Sequence, residues 1–340
     1  MLPLAAQPVL RTAASPLLRS AVTSPVFHAA VTGAPSAAER GALAGGSPFG
    51  SAAAAVAASG LLARAAVRGA RSAPPGARAM RGAASASQVT RAAQPFKFCS
   101  IHPYFTILDE AAAAPIMAEF VEQTRAEKGC IWYGWDRSGD KLFCNEAYVD
   151  ADAVLAHLEN VGGLIDKILA GPAKLESIEF HGPGAELEKL KPTADSLGAT
   201  CYAVDSGFSS MPVENGPSAN PGTLCTIHPY FTIVDEEAAK PLMAEFVEKT
   251  RSEVDCVYYG WTKVGDKLFC REGYGSGDGI LAHLDNVGPL LDKMLAGPAK
   301  LESLAFHGPA AEMEKIKETA SGLGAAILIK DSGFERFEKA

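Results

Sequence analysis

Two hydrophobic periods take turns along the body of this chain. Phe98 to Leu108 alternates and is rich in β-branched and aromatic residues, which predicts a strand. From Asp109 to Glu127 the apolar positions Ile116, Met117, Phe120 and Val121 recur at three-to-four spacing. That predicts an amphipathic helix with Asp109 as N-cap and Pro115 as an oddity of its early turns. Cys130 to Asp136 and Lys141 to Val149 read as strands around Ser138-Gly139-Asp140, a hairpin signal. Asp150 to Ala170 is a second helix closed by Gly171-Pro172, and Lys174 to His181 is a further strand. Gly182-Pro183 opens a short helix, proline being suited to a first turn. Ala199 to Val204 is the last strand.

The whole pattern then repeats. Ile101-His-Pro-Tyr-Phe-Thr-Ile107 returns as Ile227-His-Pro-Tyr-Phe-Thr-Ile233, and the offset of 126 runs without a gap to Gly207-Phe208 and Gly333-Phe334. About two-thirds of the aligned positions are identical, which reads as a tandem duplication. The units are residues 98–208 and 224–335, joined by a Pro/Gly/Ser-rich linker over 209–223. The order β-α-β-β-α-β, with an appended helix and strand, predicts an α+β fold of two ferredoxin-like (split βαββαβ) domains. Such a sheet carries helices on one face only. Apolar residues on both sides of Ile101 to Ile107 predict an oily open face that needs a cover. The twin repeat supplies it: two sheets face to face, an intramolecular pseudo-dimer.

Residues 1–95 differ from the rest. Nine arginines stand there against one acid, Glu39, a charge of +8 that leaves −16 on the remainder of a chain whose total is −8. Arg- and Ser-rich, acid-poor composition is that of an organellar transit peptide. Its length and Ala/Ser/Pro bias favour a plastid (chloroplast), with the mitochondrion as alternative, and the apolar stretch Ala52 to Ala63 is too short for a membrane span. The acidic body argues against nucleic acid, whose phosphates call for clustered Lys and Arg. Six of the seven cysteines pair across the repeat, Cys99/Cys225, Cys130/Cys256 and Cys144/Cys270, with Cys201 alone. On apolar strands they read as reduced and buried. No CxxC, metal-type His/Cys spacing, GxGxxG, phosphate loop or GxSxG is present, so no metal is expected.

Gly139-Asp-Lys-Leu-Phe-Cys-Asn-Glu-Ala-Tyr148, followed by Ala156-His-Leu-Glu-Asn-Val161, resembles the antibiotic biosynthesis monooxygenase family of dimeric α+β barrels. His181-Gly-Pro-Gly-Ala-Glu-Leu-Glu-Lys189 is similar to the ending of a subgroup of small quinol monooxygenases. The resemblance spans 98–208 and 224–334, and it implies a pocket between each sheet and its own helices. The superfamily also includes haem-degrading enzymes, isomerases and proteins with no demonstrated reaction, so the fold does not settle the chemistry.

Candidates for that pocket come from the residues themselves. On the first strand His102, Tyr104 and Thr106 share one side, opposite Ile101, Pro103, Phe105 and Ile107. His102 and Tyr104, with His228 and Tyr230, are either pocket wall or hydrogen-bonded core. His157 falls in register with Val161, Leu164 and Ile168 on its helix's buried side. Burial and the helix's positive end would keep it neutral and ready to accept a proton, and His283 is its counterpart. Trp135 and Trp261 offer an aromatic wall or plain core. Glu146 and Glu272, beside Tyr148 and Tyr274, sit in apolar strands and need a partner. Asn160 and Asn286 share the histidine's helix face and would hold an oxyanion. His181 and His307 read as turn and capping residues. Asn145 becomes Arg271, and Val149-Asp150-Ala151 becomes Gly275-Ser276-Gly277, which would loosen entry to the second unit's helix.

The expectation is a cofactor-independent monooxygenase acting on a small phenol or quinol, with molecular oxygen as co-substrate. His157 or His283 removes a phenolic proton, Tyr104 and Asn160 position the oxyanion, and Trp135 stacks the ring. Haem is not expected, since the histidine's surroundings carry no other haem-specific sign. The alternatives are a non-catalytic barrel that binds a small aromatic molecule, as in a stress response, and a purely structural module.

Overall fold

The computed structural model describes residues 94–210 and 222–336. The expected transit segment, apart from Gln94 and Pro95, and most of the linker lie outside them.

Eight elements occur twice in the same order. The first set is β1 (Cys99–Ile107), α1 (Glu110–Arg125), β2 (Cys130–Ser138), β3 (Lys141–Tyr148), α2 (Ala151–Leu169), β4 (Ala173–Gly182), α3 (Gly184–Leu197) and β5 (Thr200–Ser209). The second is β6 (Cys225–Ile233), α4 (Glu236–Thr250), β7 (Cys256–Val264), β8 (Lys267–Tyr274), α5 (Gly277–Leu295), β9 (Ala299–Gly308), α6 (Ala310–Leu323) and β10 (Ala326–Glu335). Local chemistry sets the boundaries. Asp109 accepts from the Ala112 N–H at 3.1 Å and Asp150 from the Ala153 N–H at 2.9 Å, satisfying first-turn donors that a helix leaves unpaired. In the second half Ser276 caps α5 instead. The glycines around it leave room for the Asp255 carboxylate, which accepts from Ser276 Oγ at 2.7 Å, so this entry is filled rather than loosened.

The strands do not form two stacked sheets. They close into one barrel of ten in the order β5-β4-β1-β3-β2-β10-β9-β6-β8-β7, with β7 returning to β5. The seams are antiparallel pairings between halves, β5 with β7 and β10 with β2. Each half's last strand thus covers the other half's edge, which removes the unpaired edges of an open sheet. β5 runs five residues past the expected Val204. Asp205, Ser206 and Gly207 lack strand character, yet a bulge between Val204 and Ser206 carries the chain on along β7.

Alternation splits each strand between two environments. The outward face meets the helices: Ile101, Tyr133, Trp135, Cys144 and Tyr148 pack with Met117, Phe120, Val154 and Val161 in one buried cluster. The lumen face is the one expected to be oily, and it is largely polar. His102, His181, His228 and His307 lie there with Phe143 and Phe269. Some of the polar groups pair with one another. Asn145 donates to Asp136 at 3.2 Å and to Thr226 at 3.3 Å, and Tyr104 and Tyr230 share a hydrogen bond of 2.8 Å. Arg271, at the position of Asn145, is 3% exposed and stacks over Phe96 and Phe98 at 4.5 and 4.3 Å.

Candidate active site between sheet and helix

β3 directs Glu146 outward, and α2 lays His157 over it, because His157 shares the buried face of α2 with Val161, Leu164 and Ile168. His157 Nε2 lies 3.3 Å from Glu146 Oε2, and its Nδ1 lies 3.1 Å from the Glu127 carboxylate. Tyr148 donates a hydrogen bond to the same Glu146 oxygen. The second half repeats the arrangement: His283 Nε2 is 3.2 Å from Glu272, its Nδ1 is 3.0 Å from Glu253, and Tyr274 donates to Glu272 at 2.6 Å.

This geometry overturns the expectation of a neutral His157. A neutral imidazole has one N–H and would leave a nitrogen lone pair facing one carboxylate. The imidazolium donates to both. Burial acts to lower the pKa of His157, but the charge of Glu146 and the hydrogen bond donated to Glu127 outweigh it, and the net shift is upward. Burial holds the Glu146 carboxyl above its ordinary range against the opposing charge of His157, and Glu272 behaves likewise. In the first half, carboxylate and imidazolium thus stand side by side. Glu127→Gln should lower the His157 titration midpoint from its wild-type place above the usual 6.5, read by NMR of the imidazole protons. Any stability this imidazolium contributes is present in full below the unfolded midpoint and is lost as pH rises through the folded one.

Glu146 and His157 stand at the wall of a cavity of about 80 Å³ whose other lining is almost wholly apolar, including Ile101, Phe105, Trp135 and Leu158. Trp135 is held flat by its Nε1–H donating to the Met117 carbonyl at 3.2 Å and by edge contacts with Phe105 and Phe120. The matching cavity around Glu272, His283 and Trp261 is about 40 Å³. The first is about half the ~150 Å³ of an apolar cavity that admits benzene. A ring therefore enters only as flexible aliphatic side chains on α2, such as Leu158 and Ile165, give way.

The expected site residues divide between two places. Glu146, His157 and Trp135 meet in the helix-side cavity, as do Glu272, His283 and Trp261. His102, Tyr104, His228 and Tyr230 do not join them. Their strands point them into the lumen, where Tyr104, Tyr230 and His228 line a separate cavity of about 350 Å³. Asn160 is also displaced from its expected role. It is exposed and donates to Glu127 at 2.7 Å, as Asn286 does to Glu253 at 2.6 Å, so each steadies the carboxylate behind the histidine. His181 and His307 are lumen residues rather than caps: Pro183 and Pro309 hold the N-cap positions without a side-chain hydrogen bond. Sequence reasoning passed over Glu127 and Glu253. Their signal was recurrence at the repeat offset in an otherwise polar loop.

No protein-family model matches the chain, and no curated protein matches it. Among solved structures, the chain is similar to MupZ from Pseudomonas fluorescens at 32% identity, over 34% of this chain and 96% of MupZ, with a TM-score of 0.32. It is similar to a candidate monooxygenase from Fusobacterium nucleatum at 11% identity, over 72% of this chain and 99% of that one, with a TM-score of 0.46. An anthrone oxidase-like protein is 8% identical over 61% of this chain and 92% of its own, with a TM-score of 0.35. Among the described residues no helix is long and apolar enough to cross a membrane.

Proposed function

We propose that the chain is a monooxygenase that needs no organic cofactor and oxidises a small phenol or quinol with molecular oxygen. One observation carries this reading: a carboxylate and an imidazolium, Glu146 and His157, stand together at the wall of an apolar cavity. A phenolic hydroxyl entering there meets Glu146, which takes its proton, while the charge of His157 stabilises the anion. General acid–base help of this kind is worth about a hundred- to ten-thousand-fold. The phenolate gives one electron to oxygen, the radical pair joins through a new C–O bond, and the peroxide breaks down with loss of water. For a hydroquinone the balance is one quinol and one O2 to one hydroxylated quinone and one H2O. The substrate supplies all four electrons that reduce O2, two by losing two hydrogens and two by gaining the oxygen atom. The first half carries most of the turnover because its cavity is the larger. The N-terminal composition supports delivery to a plastid.

Oxygen uptake with a panel of hydroquinones tests the reading. Wild type should consume one O2 per quinol, and His157→Ala/His283→Ala should lose turnover. Wild-type protein that binds hydroquinones yet consumes no oxygen would instead identify a barrel that sequesters aromatic metabolites.

A further inference from the structure

The lumen holds polar groups that this chemistry does not use. His181, His102, His228 and His307 form a column across it, with ring centroids 4.2, 5.5 and 4.1 Å apart in turn. Beside its first pair stands Glu179, opposite His102 on the neighbouring strand. A ring nitrogen of His102, one of His181 and a carboxylate oxygen of Glu179 all lie within 4.8 Å of one another.

We propose that His102, His181 and Glu179 form a binding site for one divalent transition-metal ion of the Zn2+ type. Two imidazoles and a carboxylate are a common ligand set for such an ion. The hydrogen bonds around them are those a metal site needs. Ser100 Oγ holds His102 Nε2 at 2.9 Å, and Thr262 Oγ1 holds His181 Nδ1 at 2.9 Å. Each imidazole is thus oriented through one nitrogen and has the other to offer. For His102 that other nitrogen, Nδ1, is buried with no hydrogen-bond partner. A buried polar atom left unpaired is destabilising by roughly 1–3 kcal/mol, and a metal bond removes that penalty. His181 offers Nε2, 3.1 Å from Glu179 Oε2, close to the spacing of two ligands on one tetrahedral ion. Tyr230 steadies the same carboxylate oxygen with a hydrogen bond of 2.6 Å. The three ligand atoms lie within 4.8 Å of one another, so His102 shifts toward the other two when all three hold one ion.

Arg271 opposes a cation here, and the charge of Glu179 offsets it. Tyr230, which bonds Glu179, lines the lumen cavity of about 350 Å³, whereas His102, His181 and Glu179 do not border it. The second half has the two imidazoles, His228 and His307, but Ala305 stands where Glu179 would be. One ion per chain follows.

The site does not touch the Glu146 cavity, so its test is independent of oxygen uptake. Untagged full-length protein stripped with a chelator and titrated calorimetrically with Zn2+ should bind one ion per chain, with Co2+ giving a visible ligand-field spectrum. Glu179→Ala, a residue the second half already tolerates at this position, should weaken Zn2+ binding at least a hundredfold. Ala305→Glu, which builds the missing carboxylate beside His228 and His307, should raise the stoichiometry to two. Wild-type protein that takes up no Zn2+, or Glu179→Ala protein that titrates like wild type, would overturn the assignment.

Discussion

Replacing Gly207 or Gly333 by alanine should lower stability by about 3–5 kcal/mol, summing backbone strain and steric overlap. Both glycines sit on the seams between halves, Gly207 against Gly260 and Gly333 against Gly134. Their φ values of 149° and 150° lie in a region that side chains rarely adopt. A Cβ on Gly207 would come within 2.5 Å of the Gly260 Cα, and one on Gly333 within 2.6 Å of the Gly134 Cα. Backbone blocks both, so neither seam can relax by rotating a side chain. The midpoint of thermal unfolding should fall by roughly 10 °C for either variant. Gly139→Ala is the control: its φ is 60°, but a Cβ there meets nothing within 4 Å, so only the strain of about 1–2 kcal/mol applies. Seam variants no less stable than this control would mean that the barrel does not close at these positions.

Glu146→Gln with Glu272→Gln should reduce oxygen uptake by about a hundred- to ten-thousand-fold, the range for a lost general base. Glutamine keeps the volume and the hydrogen bond from Tyr148, so hydroquinone binding should change only a few-fold. The wild-type pH profile carries a second signature. The base must be ionised, and burial holds its carboxyl above the ordinary 4.5. The acid limb of kcat/KM should therefore lie above 4.5. Activity that persists undiminished in the double variant would remove Glu146 from the mechanism.

Much of the scaffold was legible in the sequence, because each element carried its own local signal. Caps at Asp109 and Asp150 and the hairpin at Gly139 mark boundaries that the structure keeps. The seams were not legible. Gly207 and Ser206 owe their conformation to a strand of the other half, which no local pattern reports. The site was legible by composition and misread by geometry. Alternation correctly put His102 and Tyr104 on one side of β1 and Ile101 and Phe105 on the other. It cannot say which side the helices cover, so lumen and pocket residues were merged. Glu127 ends the expected helix off its apolar face and lies in the loop before β2 in the structure, and its contact with His157 spans 30 residues. That missing contact is why His157 was expected to be neutral. The metal set escaped for the same reason, His102 and His181 being brought together by strand pairing rather than by spacing.

The placement of the reacting molecule is the point on which the functional reading turns. A crystal structure of the protein with a fluorinated phenol that resists oxidation tests it directly. The ring should lie against Trp135 in the first half, with its oxygen in hydrogen-bond reach of the Glu146 carboxylate. A ring found in the lumen, against His228 and Tyr230, would contradict the account.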